Sequence, residues 1–196
     1  MRERQRVVVI EDANRRKEVS SSAIRWALHG LSLQPGDQLI LLGVLHHLNT
    51  PMGYKSRVGS SSIFGGNQRI IEIEAATRKK EYENNLDIIQ ISKLYQTQGV
   101  EFRIEVAIGP SPKEVALISA QNHKATWVIL DRQMKKDKKY FLKRLSCGIS
   151  RMKRNKSIEQ LRGPKSLILQ KRTVSVSYDE MIPGSPDEDD LFSIEL

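Results

Sequence analysis

The stretch that decides the fold is Val7-Val8-Val9-Ile10-Glu11-Asp12, close to the start of the chain. A short continuous run of β-branched residues is typical of a strand that is buried on both faces, as in a parallel sheet. Further strands are predicted along the chain, and helical segments separate them: Gln38–Leu45, Val100–Ile108, Thr126–Leu130 and a weaker fifth, Gly148–Lys153. This alternation predicts an α/β fold with right-handed crossovers.

The segments between these strands complete the prediction. Helices are expected near residues 20–31, over 68–97, after Pro112 and over 138–146, while residues 46–67 are rich in Gly, Ser, Asn and Pro and predict a loop. The expected architecture is a three-layer sandwich around a five-stranded parallel sheet, similar to a Rossmann fold. Ligands of such sheets bind beyond the carboxyl ends of the strands, where the strand order reverses.

Length and composition set the domain organisation. At 196 residues the chain predicts one domain, assigned to residues 1–153, with a tail over 154–196. The tail includes a candidate edge strand over 166–178 and an acidic end over 183–196 that is predicted to be disordered. One cysteine argues against secretion, and no apolar run is long enough for a membrane helix. A cytoplasmic protein is expected, with the nucleus as a second location and no membrane partner.

Positive charge is concentrated in the predicted domain. Residues 1–153 carry a net charge of +11 and residues 154–196 carry −2. Between Arg132 and Lys156 there are eleven Lys or Arg residues and a single acid, Asp137. Such a segment attracts polyanions in a salt-dependent way, although a solvated basic helix face is the commoner explanation. Only Tyr140 and Phe141 interleave these charges, so nucleic acid is the least favoured partner.

The strand ends offer few candidates for chemistry. Glu11 and Asp12 could hold a magnesium ion or a ribose hydroxyl, or simply cap the strand end. His46 and His47 are adjacent in a strand pattern and point to opposite faces, so they do not chelate one metal together. The sequence contains no phosphate-binding loop motif and no nucleophile–base arrangement. No catalytic residue, no metal site and no enzymatic activity are therefore predicted.

Several stretches together resemble the universal stress protein domain in its plant form, within the adenine nucleotide alpha hydrolase-like superfamily. They are Val7–Asp12, Ser21–Leu28, Asp37–Val44, Gly109–Pro112 and Ala125–Asp131. The later stretch from Leu130 to Lys139, with Leu145–Cys147, is similar to the variant that precedes receptor-like cytoplasmic kinase domains. This resemblance implies a role in stress response or signalling and a protein partner such as a kinase. It also implies a homodimer through the last strand, which is short and basic here.

The resemblance further implies an ATP site that has changed. Members that bind ATP carry an aspartate after the first strand and a valine after the second, matched here by Asp12 and Val44. Their glycine-rich segment after the fourth strand is not matched. In an ungapped register, its glycine and hydroxyl positions hold Asp131, Met134, Arg144 and Leu145. Because glycines let main-chain N–H groups approach phosphate, bulky side chains and the Asp131 charge are expected to weaken ATP binding.

These implications give an ordered set of expectations. The leading function is a non-catalytic regulatory or interaction module with a degenerate ATP site, and no cofactor is certain. The alternative is an ATP-binding protein with a lysine-based phosphate site, and the second alternative is polyanion binding by residues 132–156. The candidate cofactor-binding residues are Asp12, Ala13, Val44, Leu130, Asp131, Lys135, Lys136, Lys138 and Lys139. Ser60 and Ser175 each follow an arginine by three residues and are candidate kinase targets.

Overall fold

A computed structural model describes residues 2–14, 21–49, 53–59 and 68–164 of the chain. Ser60, Ser175, the candidate edge strand over 166–178 and the acidic end over 183–196 lie outside these ranges. Within them the strands are β1 (Arg6–Asp12), β2 (Gln38–Leu45), β3 (His47–Asn49), β4 (Lys55–Arg57), β5 (Glu101–Ile108), β6 (Trp127–Leu130), β7 (Gly148–Met152) and β8 (Ile158–Arg162). The helices are α1 (Ser21–Gly30), α2 (Gln68–Glu83), α3 (Leu86–Thr97), α4 (Pro112–Asn122) and α5 (Lys138–Arg144), and a 3-10 helix spans Arg132–Asp137.

The main sheet has the strand order β5-β2-β1-β6-β7-β8, and its first five strands are parallel. This confirms the predicted five-stranded parallel sheet. The strand β1 lies at its centre, because its apolar run is fully buried and pairs with β2 on one side and with β6 on the other. The chain turns one way after β1 and the other way after β6, so the order reverses between these two strands.

Helices cover both faces of the sheet, as a three-layer sandwich requires. One core contains Val7, Val9 and side chains from α1 and α3, with Tyr82 from α2. The opposite core contains Val8, Ile10 and side chains from α4, the 3-10 helix and α5. Successive residues of β1 thus point alternately into the two cores, as side chains of a pleated strand do.

Two local features differ from the sequence expectations. The single helix predicted over 68–97 is interrupted, because the Asn85 side chain accepts hydrogen bonds from the N–H groups of Asp87 and Ile88 and starts α3. The predicted loop over 46–67 contains a short antiparallel hairpin, in which β3 pairs with β4. A two-residue Asn84-Asn85 signal and a strand of three residues are both weak patterns in a sequence.

The sheet continues beyond residue 153, the predicted end of the domain. The strand β8 adds to it antiparallel to β7. The Arg162 guanidinium fixes this strand, since it donates to the carbonyl oxygens of Leu142, Leu145 and Cys147. The outer edge of β7, which the resemblance implied for a homodimer, is therefore paired with β8 of the same chain.

No helix among the described residues is both long and apolar enough to cross a membrane.

Candidate functional site

The carboxyl ends of β1, β2 and β6 bring most of the predicted site residues together. Asp12 is in register with Val44, and the Ala13 N–H donates to the Val44 carbonyl at 2.9 Å. The side chains of Ala13, Val44 and Leu130 are each at most 1% exposed and belong to the two cores. These three side chains therefore pack in the cores beneath the strand ends and are not exposed to a ligand.

Asp131 occupies the point where the strand order reverses. Its Oδ2 accepts a hydrogen bond from the Asp12 N–H at 3.1 Å, and its Oδ1 accepts one from the Gln133 N–H at 2.9 Å. Asp131 is 7% exposed and caps the 3-10 helix that follows β6. One carboxylate thus joins the end of β1 to the start of this helix, because it accepts a main-chain hydrogen bond from each.

The turn after β6 is filled by side chains rather than left open. Met134 is 4% exposed and packs in the core that contains Ile10, Val44 and Phe141. This is the position at which the resemblance expects a second glycine. A methionine side chain adapts its shape to irregular gaps, so it suits a turn packed tightly against strand ends.

Two positions of the expected glycine-rich register lie elsewhere. Arg144 ends α5 and its guanidinium stacks on the Tyr140 ring, 4.1 Å from the ring centroid. Leu145 is buried in the core. Because β7 is parallel to β6 and begins at Gly148, this end of α5 lies at the amino edge of the sheet. The expectation that Arg144 stands where a phosphate would sit is therefore wrong.

The four candidate lysines project from the surface beside Asp131. Lys135 and Lys136 belong to the 3-10 helix and are exposed, while in α5 Lys139 is exposed and Lys138 is half-buried. None of them forms an ion pair with another residue in the described ranges. They add four positive charges to the surface beside Asp131.

Glu11 and Asp12 do not act as a pair. Asp12 accepts a hydrogen bond from the Asn14 N–H at 3.0 Å on its Oδ1, which lies 3.7 Å from His46 Nδ1. Glu11 is 5% exposed and lies beside Tyr82, on the face of the sheet that contains the Val7 and Val9 side chains. Adjacent strand residues point to opposite faces, so these two side chains do not converge on one point, and Asp12 caps the strand end by accepting from the Asn14 N–H. The described residues contain no cluster of acids, histidines and cysteine that could hold a metal ion.

The Glu11 side of the strand end is closed by Tyr82. Gly43 pairs with Glu11, and a Cβ atom at Gly43 would lie 2.8 Å from Tyr82 Cε2, so only glycine leaves room for this ring. Burial raises the pKa of Tyr82, and the neighbouring Glu11 carboxylate raises it further. Tyr82 therefore stays protonated and blocks access to the strand ends from this face.

His46 lies next to Asp12 in a partly buried position. Burial lowers the pKa of His46 below its usual value of 6.5; Asp12 opposes this shift, and His47 and Arg57 reinforce it. The imidazole is consequently neutral at pH 7. Its Nδ1 atom is buried and accepts no hydrogen bond, while Asp12 keeps the contact with Asn14.

Asn14 is a structural residue that the sequence reasoning missed. Its Oδ1 accepts hydrogen bonds from the N–H groups of His46 and His47 at 2.8 and 3.1 Å, and its Nδ2 donates to the His47 carbonyl at 2.7 Å. The Asn14 side chain thus bonds to the backbone as a neighbouring strand would, and it fixes the backbone of His46 and His47 just after β2. An asparagine two residues after a strand-end acid was the available signal, because its amide bonds readily to nearby backbone.

Comparison with known proteins adds two structural similarities. A universal stress protein family protein from Arabidopsis thaliana with bound AMP matches over 77% of this chain and 92% of its own, at 16% identity and a TM-score of 0.46. The universal stress protein from Archaeoglobus fulgidus in complex with dAMP matches over 78% of this chain and 100% of its own, at 12% identity and a TM-score of 0.43. The sequence matches no protein-family model and no curated protein. Identities this low transfer neither a ligand nor the role of a residue.

Proposed function

We propose that the chain is a non-catalytic regulatory or interaction module, similar to the universal stress proteins, in which Asp131 closes the nucleotide cleft. The observation that carries this proposal is the pair of hydrogen bonds from the Asp12 and Gln133 N–H groups to the Asp131 carboxylate. Both donors lie at the reversal of strand order, where the ligands of such sheets bind.

A nucleoside triphosphate does not fit the strand ends in this arrangement. An incoming phosphate would find both N–H groups already satisfied and a carboxylate in their place. At an effective dielectric constant of about 20, two unit charges about 4 Å apart repel by ~4 kcal/mol, which corresponds to roughly a thousandfold loss of affinity. The buried Met134 side chain also fills the turn that glycines would leave open.

The alternative is an ATP-binding protein that holds phosphate with lysines. The exposed Lys135, Lys136 and Lys139 favour it, because they stand beside Asp131 and could offset its charge. A phosphate held in this way would lie outside the strand ends, in water, where salt screens each contact. Such a site predicts weak and strongly salt-dependent binding rather than a nucleotide pocket.

The wider biological role rests on the sequence resemblance. We propose that the module serves stress response or signalling in a plant cytoplasm or nucleus, through a protein partner such as a kinase. A closed cleft suits this role, since such a module acts through its surface. The homodimer implied by the resemblance is not part of the proposal, because β8 covers the outer edge of β7.

Isothermal titration calorimetry with ATP-Mg tests the proposal. We expect no micromolar binding to the wild type, and no difference between the wild type and Asp12→Ala. A micromolar isotherm that disappears in Asp12→Ala would show that the nucleoside site is intact and would contradict the proposal. A millimolar isotherm that disappears in the double variant Lys135→Ala/Lys136→Ala, or at 0.5 M salt, would favour the lysine-based alternative.

A further inference from the structure

The carboxyl edge of the sheet gathers far more positive than negative charge. Five parallel strands deliver their following loops to this one edge, so cations that are distant in sequence become neighbours. In the described part of these loops, the cations are Lys55, Arg57, Lys113, Arg132, Lys135, Lys136, Lys153, Arg154 and Lys156. Against these nine stand five acids, namely Asp12, Glu114, Asp131, Asp137 and Glu159 near the start of β8, and the Asp131 charge is buried.

The opposite edge of the sheet has a different balance. There Arg2 pairs with Asp37 at 3.2 Å and Arg4 pairs with Glu101 at 2.7 Å. At this edge, these two arginines are each offset by an acid, unlike most of the cations listed for the carboxyl edge.

Among the described residues, most cations at the carboxyl edge have no ion-pair partner. Lys113 lies 3.9 Å from Asp137, and Lys153 lies 3.9 Å from Glu159. Within the described ranges, five others have no ion-pair partner: Lys55, Lys135, Lys136, Arg154 and Lys156. Mutual repulsion of these charges destabilises the free domain, and a bound polyanion removes that repulsion.

Aromatic rings stand among these cations. Tyr54 is 72% exposed and directly precedes β4, which contributes Lys55 and Arg57. The Arg57 side chain donates to the Pro110 carbonyl at 3.2 and 3.3 Å, which ties the hairpin to the loop after β5. A second ring, Tyr140 in α5, lies against Lys113 and against Arg144 of the amino edge, so it is not counted as a stacking surface here. An exposed ring beside cations is what a nucleic-acid base stacks on, whereas an acidic peptide makes no use of it.

We propose that single-stranded nucleic acid binds across the carboxyl edge of the sheet. Five strands spaced about 4.8 Å apart make this edge roughly 19 Å long, enough for several nucleotides. The lysines suit phosphates as point charges without reading sequence, and Tyr54 offers the stacking surface. The sequence alone disfavoured this partner because the basic segment 132–156 holds few aromatic residues. The fold adds Tyr54, Lys55, Arg57 and Lys113 to that segment.

The test is fluorescence anisotropy of the full chain with labelled RNA and DNA of about 12 nucleotides, measured over a range of salt concentrations. The double variant Lys135→Glu/Lys136→Glu removes charge at the carboxyl edge. The matched control Lys80→Glu/Lys93→Glu changes net charge equally at exposed positions of α2 and α3. Tyr54→Ala, at an exposed position, tests stacking without touching charge. Polyglutamate and phosphatidylserine vesicles serve as competitors.

We expect Lys135→Glu/Lys136→Glu to weaken RNA or DNA binding at least tenfold and to flatten the salt dependence by about 1.4 log units per decade, from two lost phosphate contacts. The control should change affinity less than threefold. Tyr54→Ala should weaken binding severalfold with an unchanged salt slope. Equal losses in both double variants would contradict the proposed location. Competition by polyglutamate or vesicles at equal charge, with no effect of Tyr54→Ala, would contradict nucleic acid as the ligand. A difference in affinity between RNA and DNA shows which of the two nucleic acids binds more tightly.

Discussion

Replacing Asp131 by alanine is expected to lower the free energy of unfolding by about 3 kcal/mol. The substitution leaves the Asp12 and Gln133 N–H groups without an acceptor at a position that is 7% exposed. A hydrogen bond to a charged group contributes about 1.5–3 kcal/mol, and a buried donor left without a partner adds a desolvation cost. Urea denaturation at pH 7, followed by circular dichroism, measures this difference directly.

Two further variants isolate the cause. Asp131→Asn keeps one acceptor oxygen but turns an N–H₂ group toward the other donor. We therefore expect a smaller loss of unfolding free energy than in Asp131→Ala. Asp137→Ala removes a partly exposed acid of the same 3-10 helix, whose side chain makes no cap hydrogen bond, and it should cost less than about 0.5 kcal/mol. Equal destabilisation by Asp131→Ala and Asp137→Ala would mean that the Asp131 carboxylate does not join β1 to the turn after β6.

Replacing Arg162 by alanine is expected to cost about 2–3 kcal/mol and to release β8. The Arg162 guanidinium donates to three carbonyl oxygens, those of Leu142 and Leu145 at the end of α5 and that of Cys147 before β7. Charge-assisted hydrogen bonds to helix-terminal carbonyls are among the stronger polar contacts of a protein. Amide hydrogen exchange should accelerate in β8 and along the outer edge of β7, and less in β1.

The matched control for this prediction is Arg154→Ala, which removes an exposed cation from the turn between β7 and β8. It should leave both stability and exchange nearly unchanged. Arg162→Lys should behave like the alanine variant, because a single ammonium group cannot reach three carbonyls at once. Unchanged exchange of β8 in Arg162→Ala would show that strand pairing alone holds this segment.

The sequence predicts the parallel sheet well because its signals are local. Val7–Ile10 and the apolar stretch of β2 are buried on both faces. Strands of this kind can be recognised in the sequence as continuous apolar runs. The alternation of strands and helices predicts that a site lies at the carboxyl ends of the strands. It does not fix which strands are neighbours, so the reversal of strand order between β1 and β6 is seen only in the structure. Asp12 and Val44 were singled out by the family resemblance, and the structure places them in register at adjoining strand ends.

The closing contacts could not be predicted, because they join residues distant in sequence. Asp131 bonds to the N–H of a residue 119 positions earlier, and Arg162 bonds to a carbonyl 20 positions earlier. In neither case can the partner be inferred from the residue type. The sequence predicted only that the Asp131 charge would repel a phosphate. It did not predict that the Asp131 carboxylate accepts hydrogen bonds from the main-chain N–H groups of Asp12 and Gln133. Asn85 was missed although its contacts are local, because a capping asparagine inside a long helical pattern is a weak signal.

The central claim is that the Asp131 carboxylate holds the main-chain donors that a phosphate would need. Two-dimensional ¹H–¹⁵N NMR during titration with ATP-Mg observes those donors one by one. We predict that the Asp12 and Gln133 amide signals keep their positions through millimolar ATP-Mg, and that any shifts are confined to the surface lysine segment. Saturable shifts of both amides at micromolar ATP-Mg would contradict the account.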